Sequence, residues 1–246
     1  MNNIYNPEYV KNLFNRMSSS YERMNYITSF GFSIRWRKNF LKSFNKTEKE
    51  VEIIDLLTGM GETWKATKHK FPKSKLSALD FSEGMLKYAE TKNNNKFNNK
   101  VNILNQDILN NELQSNYYDF VTCAFGLKTF NEKQLEILAS QTNRILKPNG
   151  KISFIEVSEP RNKVLKMFYE FYLKKIIPIL GKVFLGNPIE YKMLWEYTNK
   201  FKNSKKAMEI FAKEGFELNY NSYFYGCATG FNGTKIEKAT HNNGYS

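Results

Sequence analysis

Between residues 51 and 157 the hydrophobic period of this chain switches back and forth, and few folds accommodate that. Short apolar runs of β type, VEIIDLL (51–57), KLSALDF (75–81), KVNILNQD (100–107), YDFVTCAF (118–125) and KISFIEV (151–157), alternate with helical spacing at 62–70, 82–91 and 131–146. Strands of this length joined through helices pair most economically in parallel, with helices on both faces of the sheet. The run NEKQLEILASQTNRIL is the clearest amphipathic helix, and the KPNG behind it supplies the Pro and Gly that end one. NNNKFNNK (93–100) reads as a polar loop.

The flanks differ in character. Residues 7–44 read as helical, with Val10, Leu13, Phe14 and Met17 at helical spacing, then Trp36, Phe40, Leu41 and Phe44 on one face. Residues 161–200 are helical, aromatic and Lys-rich, 204–216 is a further helix, and 217–231 contains one or two strands. The tail after 233 is polar and is expected to fray. A length of 246 residues with a hydrophobic fraction of 41% suits one α/β domain, taken here as 1–233 with a tail at 234–246.

Lys and Arg outnumber Asp and Glu by 37 to 24, a formal net charge of +13. Such a surplus suits nucleic acid, an anionic membrane surface or acidic small molecules. No Lys run interleaved with aromatics resembles an RNA-binding motif, so no nucleic-acid partner is expected. The Lys and Asn richness of stretches such as KNNNKFNNK looks like codon bias. The cysteines, Cys123 and Cys227, make neither a disulfide framework nor a zinc spacing, so the expected compartment is the reducing cytoplasm. MNNIYNPEYV lacks the apolar core of a signal peptide, and IIPILG (176–181) is far shorter than the roughly 20 residues of a membrane span.

The chemistry concentrates at EIIDLLTGMGETW (52–64), where a strand meets Asp55 and then a turn with Gly59 and Gly61. In a doubly wound sheet, ligands sit beyond the carboxyl ends of the strands where strand order reverses. Glycines there let backbone approach a ligand, and helix N-terminal amides face an anionic group. The next strand ends in Asp80, about 20 residues on, the separation expected of an acid that binds ribose hydroxyls. The third runs into Gln106, Asp107 and Ile108, a carboxylate and an apolar side chain suited to an adenine edge and face. Trp64 stands where a dinucleotide fingerprint has its third glycine, which argues against NAD and fits S-adenosylmethionine, a cofactor without phosphate. Each residue alone also has an ordinary reading: glycines for a turn, Asp80 as a helix cap, Asp107 in a loop.

The segments LFNRMSSSYERMNYITSFGFSIRWRK, IIDLLTGMGE, LDFSEGML, DFVTCAFGLKTF, NRILKPNGKISFIEVSEP, FYEFYLKKIIPILGKVF and FAKEGF span roughly 10–230 in order. In them the chain resembles the ubiquinone and menaquinone C-methyltransferases (the UbiE/Coq5 type) among the class I S-adenosylmethionine-dependent methyltransferases. The resemblance implies a Rossmann-like α/β fold: a seven-stranded, mostly parallel sheet with a final antiparallel hairpin, helices on both faces, and a lid from 7–44 and 161–200. It implies a cofactor surface of Asp55, Thr58, Gly59, Met60 and Gly61, of Asp80, Phe81 and Met85, of Asp107 and Ile108, and of Ala124. Position 60 usually carries Thr in the family and here is Met. Phe125-Gly126-Leu127-Lys128-Thr129 stands for the family's Phe-Gly-Leu-Arg-Asn, and Trp195, Glu196, Tyr197 and Lys202 stand where members carry Glu-Ser before Phe-Pro.

Methyl transfer needs alignment of acceptor, methyl and sulfur in a dry pocket, and no metal. A carbon or phenol acceptor must also lose a proton. His69 falls in a helix and His241 in the tail, which leaves Lys128, Glu156 and Tyr21 as candidate catalytic groups, with Ser158 facing the same mouth as Glu156. A Lys base requires desolvation beside the cationic sulfonium. Phe14, Tyr21 and Trp36, with Met167, Phe168, Tyr169, Tyr172, Met193, Trp195 and Tyr197, are expected to roof an apolar acceptor pocket. Lys163, Lys166, Lys174 and Lys175 would meet anionic lipid as a peripheral membrane contact. The expected reaction is C-methylation of a quinol, with O-, N- or C-methylation of another small aromatic as the alternative; an RNA methyltransferase and a silent binding module on the same fold are the other classes. An oligomer stays open.

Overall fold

The computed structural model describes residues 3–19, 21, 32–177, 179 and 188–236. Its strands are β1 (Glu52–Leu56), β2 (Lys75–Asp80), β3 (Val101–Asn105), β4 (Tyr118–Ala124), β5 (Leu146–Val157), β6 (Phe216–Tyr223) and β7 (Ala228–Lys235). They form one seven-stranded sheet in the order β3-β2-β1-β4-β5-β7-β6. The pairings from β3 through β5 are parallel, and β7 runs antiparallel to both β5 and β6. The strand order therefore reverses between β1 and β4, which opens a crevice at their carboxyl ends.

The helices are α1 (Pro7–Met17), α2 (Phe32–Asn39), α3 (Trp64–Lys70), α4 (Glu83–Phe97), α5 (Glu132–Ile145), α6 (Lys163–Phe171), α7 (Pro188–Phe201) and α8 (Lys205–Lys213). Their starts follow local chemistry. Asn6 accepts from the Tyr9 amide ahead of Pro7, whose fixed φ suits the first turn. Ser82 caps α4, and Asn131 with Gln134 makes a reciprocal capping box on α5.

Alternation along the strands assigns the two faces of the core. Ile54, Leu56, Val121, Ile152 and Phe154 turn toward α5 and α8, where Leu135, Leu138, Ile210 and Phe211 meet them. Ile53, Leu76, Ala78 and Ile155 turn the other way, onto Phe40, Phe44, Trp64 and Phe71. A smaller cluster of Leu13, Met17, Ile177 and Tyr197 joins α1 to α7.

Three boundaries differ from the sequence expectation. The polar stretch NNNKFNNK continues α4 to Phe97 instead of forming a loop. Asn93 is the reason: its buried amide donates to the Val101 carbonyl and accepts from the Val101 amide, tying the helix to β3. The reversal is left to Asn98 and Asn99, both left-handed at φ 51° and 56°. The KPNG stretch belongs to β5, which begins at Leu146 and slips register against β4 between Tyr118 and Phe120. β7 extends past residue 233 to Lys235, where Thr234 still pairs with Lys151 and Glu217. Residues 237–246 of the expected tail lie outside the described residues.

Gly61 carries a different burden from the one its spacing suggests. It sits at φ +74°, and a Cβ there would lie 2.5 Å from the indole ring of Trp64, which is fully buried. Its missing side chain makes room for Trp64, not for a ligand. Gly61→Ala would combine a left-handed alanine with overpacking, so a loss of about 2 kcal/mol is expected. Chemical denaturation, with a lowered midpoint at constant slope, checks it.

Candidate active site

The glycine loop after β1 is held from beneath by a buried carboxylate. Asp55 Oδ2 accepts from the hydroxyls of Thr58 (2.6 Å) and Thr63 (2.5 Å), and Oδ1 accepts from Thr122 on β4 (2.8 Å). Trp64 Nε1 donates to the Thr58 hydroxyl at 2.8 Å, which fixes that hydroxyl as donor to Asp55. Burial raises the Asp55 carboxyl, and the three hydroxyls act against that rise.

Asp80 closes the loop from the β2 side. Its Oδ2 accepts the Gly59 amide at 2.8 Å and its Oδ1 the Ser82 amide at 2.9 Å. Burial pushes its carboxyl up to about 6, against those amides. Each oxygen still has a lone pair to offer. On the β3 side, Asp107 accepts from the Leu109 amide at 2.9 Å beside the buried Ile108.

These groups border one cavity of about 850 Å³, open solvent at its mouth included. Of the expected cofactor residues, Asp55, Thr58, Gly59, Asp80, Phe81, Met85, Asp107, Ile108 and Ala124 line it; Met60 and Gly61 do not. Met60 is buried, and its amide donates to Glu62. The opposite wall is apolar, with Val10 and Phe14 of α1, Tyr21, Phe125 and Phe130. Tyr21 meets Phe14 edge-on at 5.9 Å. Helix α1 is locked over this wall: Asn15 Oδ1 accepts from the Ser82 hydroxyl and the Gly84 amide, and Gln134 donates to the Tyr5 carbonyl.

The expected catalytic pair is turned elsewhere. Lys128 Nζ lies 2.6 Å from Glu156 Oε1, and Glu156 also accepts from the Lys128 and Val157 amides. Both side chains are buried and neither lines the cavity. Ser158 likewise bonds to Thr229 and the Glu156 carbonyl, away from the mouth. Of the three candidates, Tyr21 alone borders the cavity.

Much of the expected aromatic roof is also elsewhere. Trp36 is buried in the core beside Phe32 and Phe125. Tyr169, Tyr172, Met193, Trp195 and Tyr197 pack against Leu13 and Met17. Met167 and Phe168 face outward. The described part of 161–200 thus buttresses α1, and α1 forms the wall.

Sequence reasoning passed over Arg37 and Glu62. Arg37 is buried among aromatics, its guanidinium 4.9 Å from the Phe125 ring centroid. Its Nη2 stands 3.6 Å from Glu62 Oε1, too far for a hydrogen bond. Arg37 Nε and Glu62 Oε1 are both buried without a hydrogen-bond partner. Each such orphan costs about 1–3 kcal/mol. Both residues line the cavity. The available signals were a charged residue within the aromatic WRKNF segment and an acid directly behind the glycine loop.

The model of the ubiE/COQ5 methyltransferase family matches residues 2–235. A demethylmenaquinone methyltransferase of Lactococcus lactis subsp. lactis (strain IL1403) is 31% identical over 239 residues, covering 96% of this chain and 94% of that protein. A demethylmenaquinone methyltransferase of Staphylococcus haemolyticus (strain JCSC1435) is 31% identical over 235 residues, covering 95% and 96%. Among solved structures, an S-adenosylmethionine-dependent methyltransferase of Thermotoga maritima superposes with a TM-score of 0.63 at 19% identity, covering 91% of this chain and 99% of that one. Phosphoethanolamine N-methyltransferase 2 of Haemonchus contortus, solved with phosphomonomethylethanolamine and S-adenosylhomocysteine, gives 0.61 at 16%, covering 82% and 53%. These structures share the fold.

Removing one partner of a buried, hydrogen-bonded ion pair strands the other charge. Glu156→Ala is therefore expected to cost about 3–5 kcal/mol. Combining it with Lys128→Met should recover part of that loss, because no buried charge is then left alone. Denaturant midpoints of the single and double variants check this as a double-mutant cycle.

Proposed function

We propose, from the premise that this chain belongs to the ubiE/COQ5 methyltransferase family, that it methylates a ring carbon of a quinol-type acceptor. The chain is an S-adenosylmethionine-dependent methyltransferase. The observation that carries the acceptor reading is the two-sided cavity, acidic and glycine-edged along β1–β3 and apolar and aromatic along α1 and Phe125. The demethylmenaquinone methyltransferase relatives, aligned over nearly their whole length, support the same acceptor class.

The residues present fit the cofactor. Asp80 would accept from the ribose hydroxyls with the lone pairs left by Gly59 and Ser82. Asp107 and Ile108 would take the adenine, and Gly59, without a Cβ, leaves the backbone open to close approach. When bound, S-adenosylmethionine supplies an electrophilic methyl group on a sulfonium. The chain's own contribution is alignment and exclusion of water. Val10, Phe14 and Phe130 would hold a planar acceptor against that edge, with the Tyr21 hydroxyl as the candidate polar contact.

The test is methyl-labelled S-adenosylmethionine with a prenylated 1,4-naphthoquinol unsubstituted at the neighbouring ring carbon. Label on that carbon, and none when it already bears a methyl group, is expected. Label on oxygen, or transfer only to an unrelated small aromatic, would overturn the quinol reading.

The finer location is a membrane surface. Val164, Met167, Phe168 and Phe171 of α6 share one helical face and are each about 60% exposed. Leu165 and Tyr169 turn inward on the same helix. Lys163 and, just beyond the helix, Lys174 and Lys175 are exposed at its flanks. An exposed apolar stripe bordered by lysines suits the interface of an anionic bilayer, where a prenylated acceptor resides. Among the described residues, no helix is long and apolar enough to cross a membrane. Cosedimentation with vesicles containing anionic lipid is expected, with at least tenfold weaker partitioning for Met167→Asp/Phe168→Asp at unchanged thermal stability. Equal partitioning of variant and parent would remove α6 as the contact.

A further inference from the structure

Arg37 and Glu62 are two opposite charges on the cavity wall that approach each other without satisfying each other. Their nearest atoms stand 3.6 Å apart, and the Arg37 and Glu62 side chains are only 9% and 11% exposed. Arg37 Nε and Glu62 Oε1 lack any hydrogen-bond partner, while Glu62 Oε2 accepts the Met60 amide at 3.2 Å. By contrast, Lys128 and Glu156 meet at 2.6 Å, and the Glu156 carboxylate also takes up two amides. Buried charges that serve only the fold are hydrogen-bonded. The open pair is shaped for something placed against it.

The rest of the cavity narrows what that is. The cofactor reading above assigns Asp80 to the ribose and Asp107 with Ile108 to the adenine. What remains is the α-amino acid attached at the 5′ sulfur: a carboxylate and an ammonium on one carbon. From Asp80 the wall passes through Gly59, whose missing Cβ would lie 3.4 Å from Glu62 Oε2. Glu62 is thus the next charged group on from the ribose end, and Arg37 follows it. Among the described lining residues Arg37 is the single cation. Of the lining acids, Asp55 is engaged by three hydroxyls, and Asp80 and Asp107 are assigned to the nucleoside.

We propose that Arg37 and Glu62 form a clamp for the zwitterionic amino-acid end of the cofactor, Arg37 donating to its α-carboxylate and Glu62 accepting from its α-ammonium. This inference rests on the cofactor reading of the cavity and adds a site at its far end. The Phe125 ring under the guanidinium holds that group in place and keeps water from it. A guanidinium is the natural partner of a carboxylate, because its planar fork can donate two parallel hydrogen bonds.

Isothermal titration with two ligands tests the clamp directly and without turnover. S-adenosylhomocysteine carries the amino-acid end, and 5′-methylthioadenosine lacks it while keeping ribose, adenine and sulfur. The parent protein is expected to bind the first more tightly by about thirtyfold or more. In Arg37→Met that preference should collapse to within about threefold, with 5′-methylthioadenosine affinity held within about twofold of the parent's. Retained 5′-methylthioadenosine binding also reports an intact fold. Glu62→Gln, nearly isosteric, should lose about tenfold for S-adenosylhomocysteine alone. An unchanged preference in both variants would overturn the clamp while leaving the cofactor site standing. A parallel loss for both ligands would overturn it in favour of a purely structural role. Failure of the parent protein to bind either ligand would instead overturn the cofactor reading itself, and the clamp with it.

Discussion

The carboxylate of Asp55 is the fixed point of this molecule. It sits at the end of β1, where strand order reverses, and is almost wholly buried. A bare carboxylate there would be untenable, and three threonine hydroxyls from three directions make it tenable. One comes from the glycine loop, one from the residue before α3 and one from the neighbouring strand β4. The loop, the helix and the crevice are thereby referred to one point. Trp64 extends the network through Thr58, and Gly61 exists in its conformation so that Trp64 can reach it. Gly59, Glu62 and Asp80 on the cavity wall are held on this base.

What was legible in the sequence was the part governed by local period and short spacing. The switch between short continuous apolar runs and a helical spacing of 3.6 located five parallel strands, because a strand buried between two helical layers must be apolar on both sides. The acids Asp80 and Asp107 were legible on the cavity wall because Asp80 ends β2 and Asp107 stands two residues past β3, and a strand end has one place to be. The NNNKFNNK stretch was misread because its composition is that of a loop. Asn93 makes its two bonds to Val101, eight residues away, and no propensity carries that tertiary information. Lys128 and Glu156 show the same limit. Each stands at the correct lip by position, yet the direction of a side chain depends on what else is buried nearby. A lysine and a glutamate brought together in a dry place neutralise each other before either can face a substrate.

The two ion pairs at this lip therefore divide the labour. Lys128 and Glu156 lie behind the Phe125–Thr129 turn and stiffen it: Glu156 bonds to the Lys128 amide as well as its ammonium, and Thr129 donates to the Gly126 carbonyl. Gly126 completes the fit, since a Cβ there would run into Leu57 of the loop opposite. Arg37 and Glu62 lie in front of the same turn, on the cavity side, with Phe125 against the guanidinium. A closed pair supports the wall, and an open pair is exposed to whatever the wall encloses. The difference lies in how many hydrogen bonds each carboxylate has already made.

A similar division runs through α6. Composition alone would group all of its aromatic and aliphatic residues as one packing surface. The helix instead turns Leu165 and Tyr169 inward and leaves Val164, Met167, Phe168 and Phe171 in contact with solvent. Burying side chains of this size is worth roughly 1.5–3 kcal/mol each, so four left exposed on one stripe forgo a stabilisation comparable to a large part of a domain's net stability. On the inward side Tyr169 joins the cluster around Leu13 and Met17 that backs α1, and Leu165 packs against the cluster that holds Trp36 and Phe125. The same short helix thus joins the support of the cavity's apolar wall to an outward apolar stripe.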